Sequence, residues 1–107
     1  MGAVNHIDVA ELERLRQPGP VTLVDVRTDP EIARGMIAGA HHIPLNLLPS
    51  RYMELDPAAV TVIYCQSGGR SAQACAWLAD KGFEQVFNLQ GGVTAWQRSG
   101  LPLSSPG

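Results

Sequence analysis

The segment Cys65-Gln66-Ser67-Gly68-Gly69-Arg70-Ser71 concentrates the groups in this chain that can do chemistry. It follows directly on Val60-Thr61-Val62-Ile63-Tyr64, the strongest strand signal in the sequence, and Ala72 to Leu78 is rich in helix formers. A strand, a glycine-bearing loop and a helix start place several backbone N–H groups around one point, with the positive end of the helix dipole aimed there. Such a cradle favours an anion, and the residue at its centre can itself become one. A free cysteine is only about 3% thiolate at pH 7, and proximity to a helix N-terminus raises that fraction. Cys65 is therefore a candidate activated nucleophile. Gly68 and Gly69 permit the left-handed backbone that turns successive N–H groups inward. Arg70 offers a rigid fork of donors for an oxyanion, or for a structural pair with a carboxylate such as Asp25.

The remaining elements must hold this loop. Asp8 and Glu11 form a capping-box pattern, and Val9, Leu12 and Leu15 mark one face of a helix that runs out at Gln17-Pro18-Gly19. Val21 to Asp25 reads as a buried strand. Asp29-Pro30-Glu31 reads as cap, first-turn proline and first-turn acid of a short helix that Gly35 ends. Ala40 to Ile43 is a second strand stopped by Pro44, and Leu47 to Leu55 supplies one or two short helical turns. The spacing predicts a helix after the cysteine loop, capped by Ser71 and closed at Gly82. Val86 to Leu89 is a last strand, and Gly91-Gly92 leads into a helix over Val93 to Arg98, ended by Gly100-Leu101-Pro102. Strands separated by helices imply right-handed crossovers and an α/β fold, a central parallel β-sheet flanked by helices on both faces. In such a sheet ligands bind beyond the carboxyl ends of the strands, where Cys65 sits. Asp25 and Arg27 follow another strand's carboxyl end and either support the site or tie loops together.

At 107 residues the chain has the size of one domain, 1–107, with no repeat, linker or low-complexity tract. Size scaling puts the folded surface near ~5,800 Å², enough burial for a core without staples. Hydrophobic residues at 45% and charged residues at 17% describe a globule rather than a disordered tail. Net charge is -2, and seven Arg and one Lys are scattered along the chain, which argues against nucleic acid as a partner. Two cysteines are too few for a disulfide framework or a four-ligand zinc site, so both are expected as reduced thiols, with Cys75 a small core residue or a resolving thiol for Cys65. Met1 to His6 lacks the basic start and apolar run of a leader, Gly2 carries no lipid signal, and no stretch is apolar enough to span a membrane. Cytoplasmic residence is the expectation. His41 and His42 would point to opposite faces of a strand and do not chelate together. Trp77 and Trp96 read as core or rim packing, with Trp96 a candidate wall of the pocket.

The cysteine loop resembles the active-site loop of the rhodanese-like sulfurtransferases. Asp25-Val26-Arg27 with Glu31, then Gly35-Met36-Ile37-Ala38-Gly39-Ala40 and Ile43-Pro44-Leu45, resembles the first signature of that family. Gly91-Gly92-Val93 with Trp96, then Gly100-Leu101-Pro102, resembles its closing one. The pattern departs at Met36, where the family usually carries His. The resemblance implies a rhodanese-like three-layer fold and a double displacement. Cys65 would take the outer sulfur of a donor such as thiosulfate as a persulfide and pass it to a thiol, to cyanide or to a protein partner, with no cofactor or metal. Gln66, Ser67, Gly68, Gly69, Arg70 and Ser71 would bind the donor and stabilise the charged sulfur. The alternatives are a cysteine-dependent phosphatase or arsenate reductase on the same loop, and a non-catalytic binding module. Phosphatases of this fold use Cys-X5-Arg, whereas four residues separate Cys65 from Arg70, a ring better sized for one sulfur than for three phosphate oxygens.

Overall fold

A computed structural model describes residues 4–106. Met1 to Ala3, part of the segment read for leader and lipid signals, lie outside the described residues. Five strands, β1 (Asn5–Ile7), β2 (Thr22–Asp25), β3 (His41–His42), β4 (Thr61–Tyr64) and β5 (Val86–Leu89), make one parallel sheet in the order β1-β5-β4-β2-β3. The helices are α1 (Val9–Leu15), α2 (Asp29–Ile32), α3 (Leu48–Arg51), α4 (Gly69–Asp80) and α5 (Gly92–Arg98). Short 3-10 turns at Leu45–Leu47 and Tyr52–Glu54 flank α3.

Strands buried on both faces carry apolar residues at successive positions. Leu23, Val62 and Leu89 pack with Val9 and Leu12 of α1 and Val93 and Trp96 of α5, whereas Val24, Ile63 and Cys65 pack with Leu48 of α3 and Ala74, Cys75 and Leu78 of α4. The result is the three-layer α/β arrangement expected from the alternation of elements, with an accessible surface of 5879 Å². From β2 the chain moves outward to β3, and from β4 it moves the other way to β5, so the carboxyl ends of β2 and β4 flank the switch point where α/β sheets bind ligands. No described helix is long and apolar enough to cross a membrane.

Away from the cysteine loop, local outcomes differ from the sequence reading at β1, at the cap of α2 and at β3. β1 was not expected; it has three residues, two of them exposed, and it joins the sheet through backbone pairing with β5 alone. The cap of α2 is Thr28 rather than Asp29, and its N–H and hydroxyl both donate to Glu31 Oε1 at 3.0 Å. The strand over Ala40 to Ile43 shortens to His41–His42, whose side chains do diverge: His41 is exposed, and a ring nitrogen of His42 lies 2.6 Å from the Arg27 carbonyl oxygen.

Asp25 and Arg27 tie loops together. Both are buried, and Arg27 donates to Asp25 Oδ2 at 2.8 Å and to the Gly35 carbonyl at 2.7 Å, which fixes the segment after α2 against the end of β2. Breaking such a pair leaves a buried charge without a partner, so Asp25→Ala is expected to lower unfolding free energy by about 3–5 kcal/mol. Glu54→Ala, which removes the exposed partner of Arg51, is expected to change stability far less, because water already screens that pair. Denaturant midpoints of the two variants check this, and equal losses would contradict it.

Candidate active site

Cys65 directly follows β4 at the switch point and is 1% exposed. The chain then turns through Gln66 and Ser67 to Gly68, whose φ of 113° lies in the left-handed region that favours glycine. This turn aims the Gly68 N–H at Cys65 Sγ, 3.1 Å away. Gly69 is an ordinary helical residue with open space where a Cβ would stand, so only one of the two loop glycines is required by the backbone.

Ser71 was expected as the helix cap. Helix α4 instead begins at Gly69 with Gly68 as its cap, which carries Ser71 into the first turn, fully buried beneath the thiol. Its hydroxyl lies 3.4 Å from Cys65 Sγ, 3.2 Å from the Gly68 carbonyl oxygen, and in a short contact with Asn88 Oδ1. Burial by itself pushes the Cys65 thiol up; the Ser71 hydroxyl and the backbone N–H groups of Ser71, Gly68 and Ser67 outweigh it, and the thiol lies below its ordinary value. The same donors that favour a thiolate would favour a persulfide anion at the same place. Ser71→Ala removes one of them, so alkylation of Cys65 by iodoacetamide is expected to shift to higher pH and to slow at pH 7. A profile unchanged by the substitution would contradict the role given to the hydroxyl.

The loop is held from behind by α5. The N–H groups of Val93 and Thr94 donate to the carbonyls of Cys65 and Gln66 at 3.0 and 3.1 Å, and the Gln66 side chain reaches Thr94 Oγ1 at 3.2 Å. That approach depends on Gly92, where a Cβ would stand 2.3 Å from the Cys65 carbonyl oxygen. From β5, buried Asn88 donates through Nδ2 to the Gly68 carbonyl at 3.2 Å and sets Oδ1 in short contact with the Ser71 hydroxyl. Asn88 Nδ2 also lies 3.0 Å from His6 Nδ1 on β1.

Arg70 pairs with Glu31 rather than with Asp25. Its two terminal nitrogens meet Glu31 Oε1 and Oε2 at 2.6 and 2.7 Å, and the hydrogen bonds from Arg70 hold the Glu31 carboxyl down at about 2. Cys75 is buried on the inner face of α4, and burial, with the nearby Cys65 charge, pushes its thiol up to about 12. Both cysteines are free. Trp96 packs in the core beside α1 and donates through Nε1 to the Pro102 carbonyl at 2.9 Å, so it is no wall of the thiol's cradle. Trp77 meets Tyr52 edge to face. Among the described residues no cluster of three metal-ligating side chains occurs.

The structure thus gathers Cys65, Gln66, Ser67, Gly68 and Ser71 at one point, with Arg70 beside them and the Asp25–Arg27 pair in the frame. The sequence reading missed Glu31 as the partner of Arg70, Asn88 as the support of Ser71 and Gly92 as the contact that seats the loop. Asn88 did leave a signal. A polar residue inside Val86-Phe87-Asn88-Leu89 must find partners once buried.

Comparison with known proteins agrees with this architecture. Residues 8–99 match the family model for the rhodanese-like domain. A protein named sulfurtransferase from Allochromatium vinosum is 49% identical over 96% of this chain and 97% of its own length. The thiosulfate sulfurtransferase GlpE of Ectopseudomonas mendocina is 32% identical over 91% of this chain and 88% of its own. Among solved structures, a rhodanese-like domain protein of Staphylococcus aureus superposes with a TM-score of 0.84 at 35% identity, covering 95% of this chain and all of that one, at 100%. With a match across most of its length and the cysteine loop at the switch point of the sheet, the chain belongs to the rhodanese-like domain family.

Proposed function

We propose that this protein is a sulfurtransferase, acting as a single domain, that carries sulfur on Cys65 as a persulfide. The observation that carries the reading is the thiol itself: buried at the carboxyl end of β4, 3.1 Å from the Gly68 N–H, within reach of the Ser71 hydroxyl, and held below its ordinary pKa. In the first half-reaction the Cys65 thiolate attacks the terminal sulfur of a donor such as thiosulfate. A new S–S bond forms, the donor's S–S bond breaks, and sulfite leaves with that electron pair. The persulfide's outer sulfur sits in the cradle of Ser67, Gly68 and Ser71 donors, with Gln66, Gly69 and Arg70 at its rim. An acceptor thiol, cyanide in an assay, or a protein thiol then attacks that outer sulfur and restores the Cys65 thiolate. The names of the Allochromatium and Ectopseudomonas relatives support this chemistry. Two free cysteines suit a reducing, cytoplasmic setting.

The phosphatase or arsenate-reductase reading asks the loop arginine to clasp an oxyanion. Here that arginine is engaged with Glu31. Steady-state assays separate the readings: thiosulfate and cyanide are expected to give sulfite and thiocyanate with ping-pong kinetics, and aryl phosphate no phosphate release. Phosphate release without thiocyanate would favour the phosphatase, and neither product from any donor would favour the binding module.

A further inference from the structure

Thiosulfate brings two negative charges to a thiolate, and a site built for it would set a free cation at the mouth. The cysteine loop holds one cation, because Gln66, Ser67, Gly68 and Gly69 are uncharged. That cation, Arg70, is engaged at both ends of its fork by Glu31 at 2.6 and 2.7 Å. Glu31 is itself fixed from behind by the Thr28 N–H and hydroxyl, both at 3.0 Å, so the pair is organised on the first turn of α2 before any donor arrives. Arg27, at the end of the neighbouring strand, is 2% exposed and already spent on Asp25 and the Gly35 carbonyl. Neither guanidinium can turn its paired edge to an incoming dianion without breaking those bonds, and each already carries a carboxylate that offsets its charge.

We propose that Glu31 sets the charge class of the sulfur donor: by holding Arg70, it turns the site toward organic thiosulfonates and persulfides, which bring less charge to the thiolate, and away from the thiosulfate dianion. The proposal rests on the persulfide reading above. With a thiosulfonate, the Cys65 thiolate bonds to the terminal sulfur, the S–S bond to the sulfonyl group breaks, and a sulfinate leaves with the electron pair. With a protonated organic persulfide, the outer sulfur and its proton pass to Cys65 and a thiolate leaves. Both exchanges balance without an external oxidant or reductant. Arg70 acts here as a restrained charge, and Glu31 as a specificity-determining residue that need not touch the donor.

Thiosulfate and methanethiosulfonate test this as matched probes, since both deliver a terminal sulfur from a sulfonyl leaving group and differ by one charge. Single-turnover rates of sulfur loading on Cys65 are compared for the wild type and Glu31→Gln. Freeing Arg70 is expected to raise the thiosulfate rate by about tenfold and the methanethiosulfonate rate by about threefold, as a charge a few ångströms from the thiolate would do at intermediate dielectric. The thiosulfate gain is expected to shrink as salt approaches about 1 M. A second readout needs no variant: wild-type loading from thiosulfate is expected to stay level or rise with salt. A steep fall would show Arg70 already engaging the dianion and would overturn the proposal. Equal changes for both donors, or a slower thiosulfate reaction in Glu31→Gln, would overturn the assignment of Glu31 alone. No sulfur on Cys65 from either donor in either protein would overturn the persulfide reading and this proposal with it.

Discussion

Cys65→Ala is expected to reduce sulfur transfer by on the order of 10⁴-fold or more, because the substitution removes the atom on which the sulfur is carried. The loss should appear in kcat with every donor. Stability should change far less, since Ala differs from a buried cysteine by one sulfur atom, and a circular-dichroism melt close to that of the wild type will show that the fold persists. The contrast with Cys75 sharpens the expectation. Cys75→Ala deletes the same atom from a site whose thiol is pushed up to about 12 and packed against the sheet. That variant should retain turnover within a few-fold of the wild type. If Cys75→Ala were as inactive as Cys65→Ala, the carrier role would not belong to Cys65 alone.

Gly92→Ala is expected to be the most damaging single change outside the thiol. Its Cβ would fall 2.3 Å from the Cys65 carbonyl oxygen and 2.8 Å from that of Gln66, both backbone atoms that cannot move aside cheaply. Overpacking of this kind costs about 1–3 kcal/mol, and a left-handed backbone at a φ of 52° adds to it for any residue with a Cβ. The loop must shift to relieve the clash. That shift would weaken the bonds from Val93 and Thr94 and move Sγ relative to its donors, and a displacement near 1 Å can cost about 10²-fold in kcat/KM. Gly69→Ala serves as the comparison, because no atom lies within 4 Å of its Cβ position. It is expected to change either quantity little. Parallel melts and kinetics of the two variants check this, and similar losses in both would show that Gly92 has no special place in seating the loop.

The two glycine substitutions also show what the sequence alone can convey. The local run from Val60 through Leu78 announced a strand, a turn and a helix, because β-branched residues, glycines and alanines state local preferences that the fold then honours. The central thiol was legible for the same reason. Glu31 was readable as a first-turn acid but not as the partner of Arg70, since they stand 39 positions apart and only the packing of α2 beside the switch point brings them together. Gly92 is similar. Its closing signature was visible, but the requirement for a missing Cβ arises from a backbone 27 positions earlier, at Cys65. The cap was misplaced by three residues because a serine before an alanine-rich run looks like one, whereas the left-handed Gly68 starts the helix sooner. The edge strand β1 left almost no pattern, because three residues with two facing water cannot display an alternation.

Each of these residues converges on one sulfur atom, and the mass of the intact protein reads it directly. Purified protein is incubated with methanethiosulfonate and separately with thiosulfate, freed of donor, and weighed by mass spectrometry under non-reducing conditions. A gain of one sulfur atom is expected, reversed by cyanide or dithiothreitol, present in Cys75→Ala and absent in Cys65→Ala. No gain from either donor, or a gain that survives in Cys65→Ala, would contradict the account.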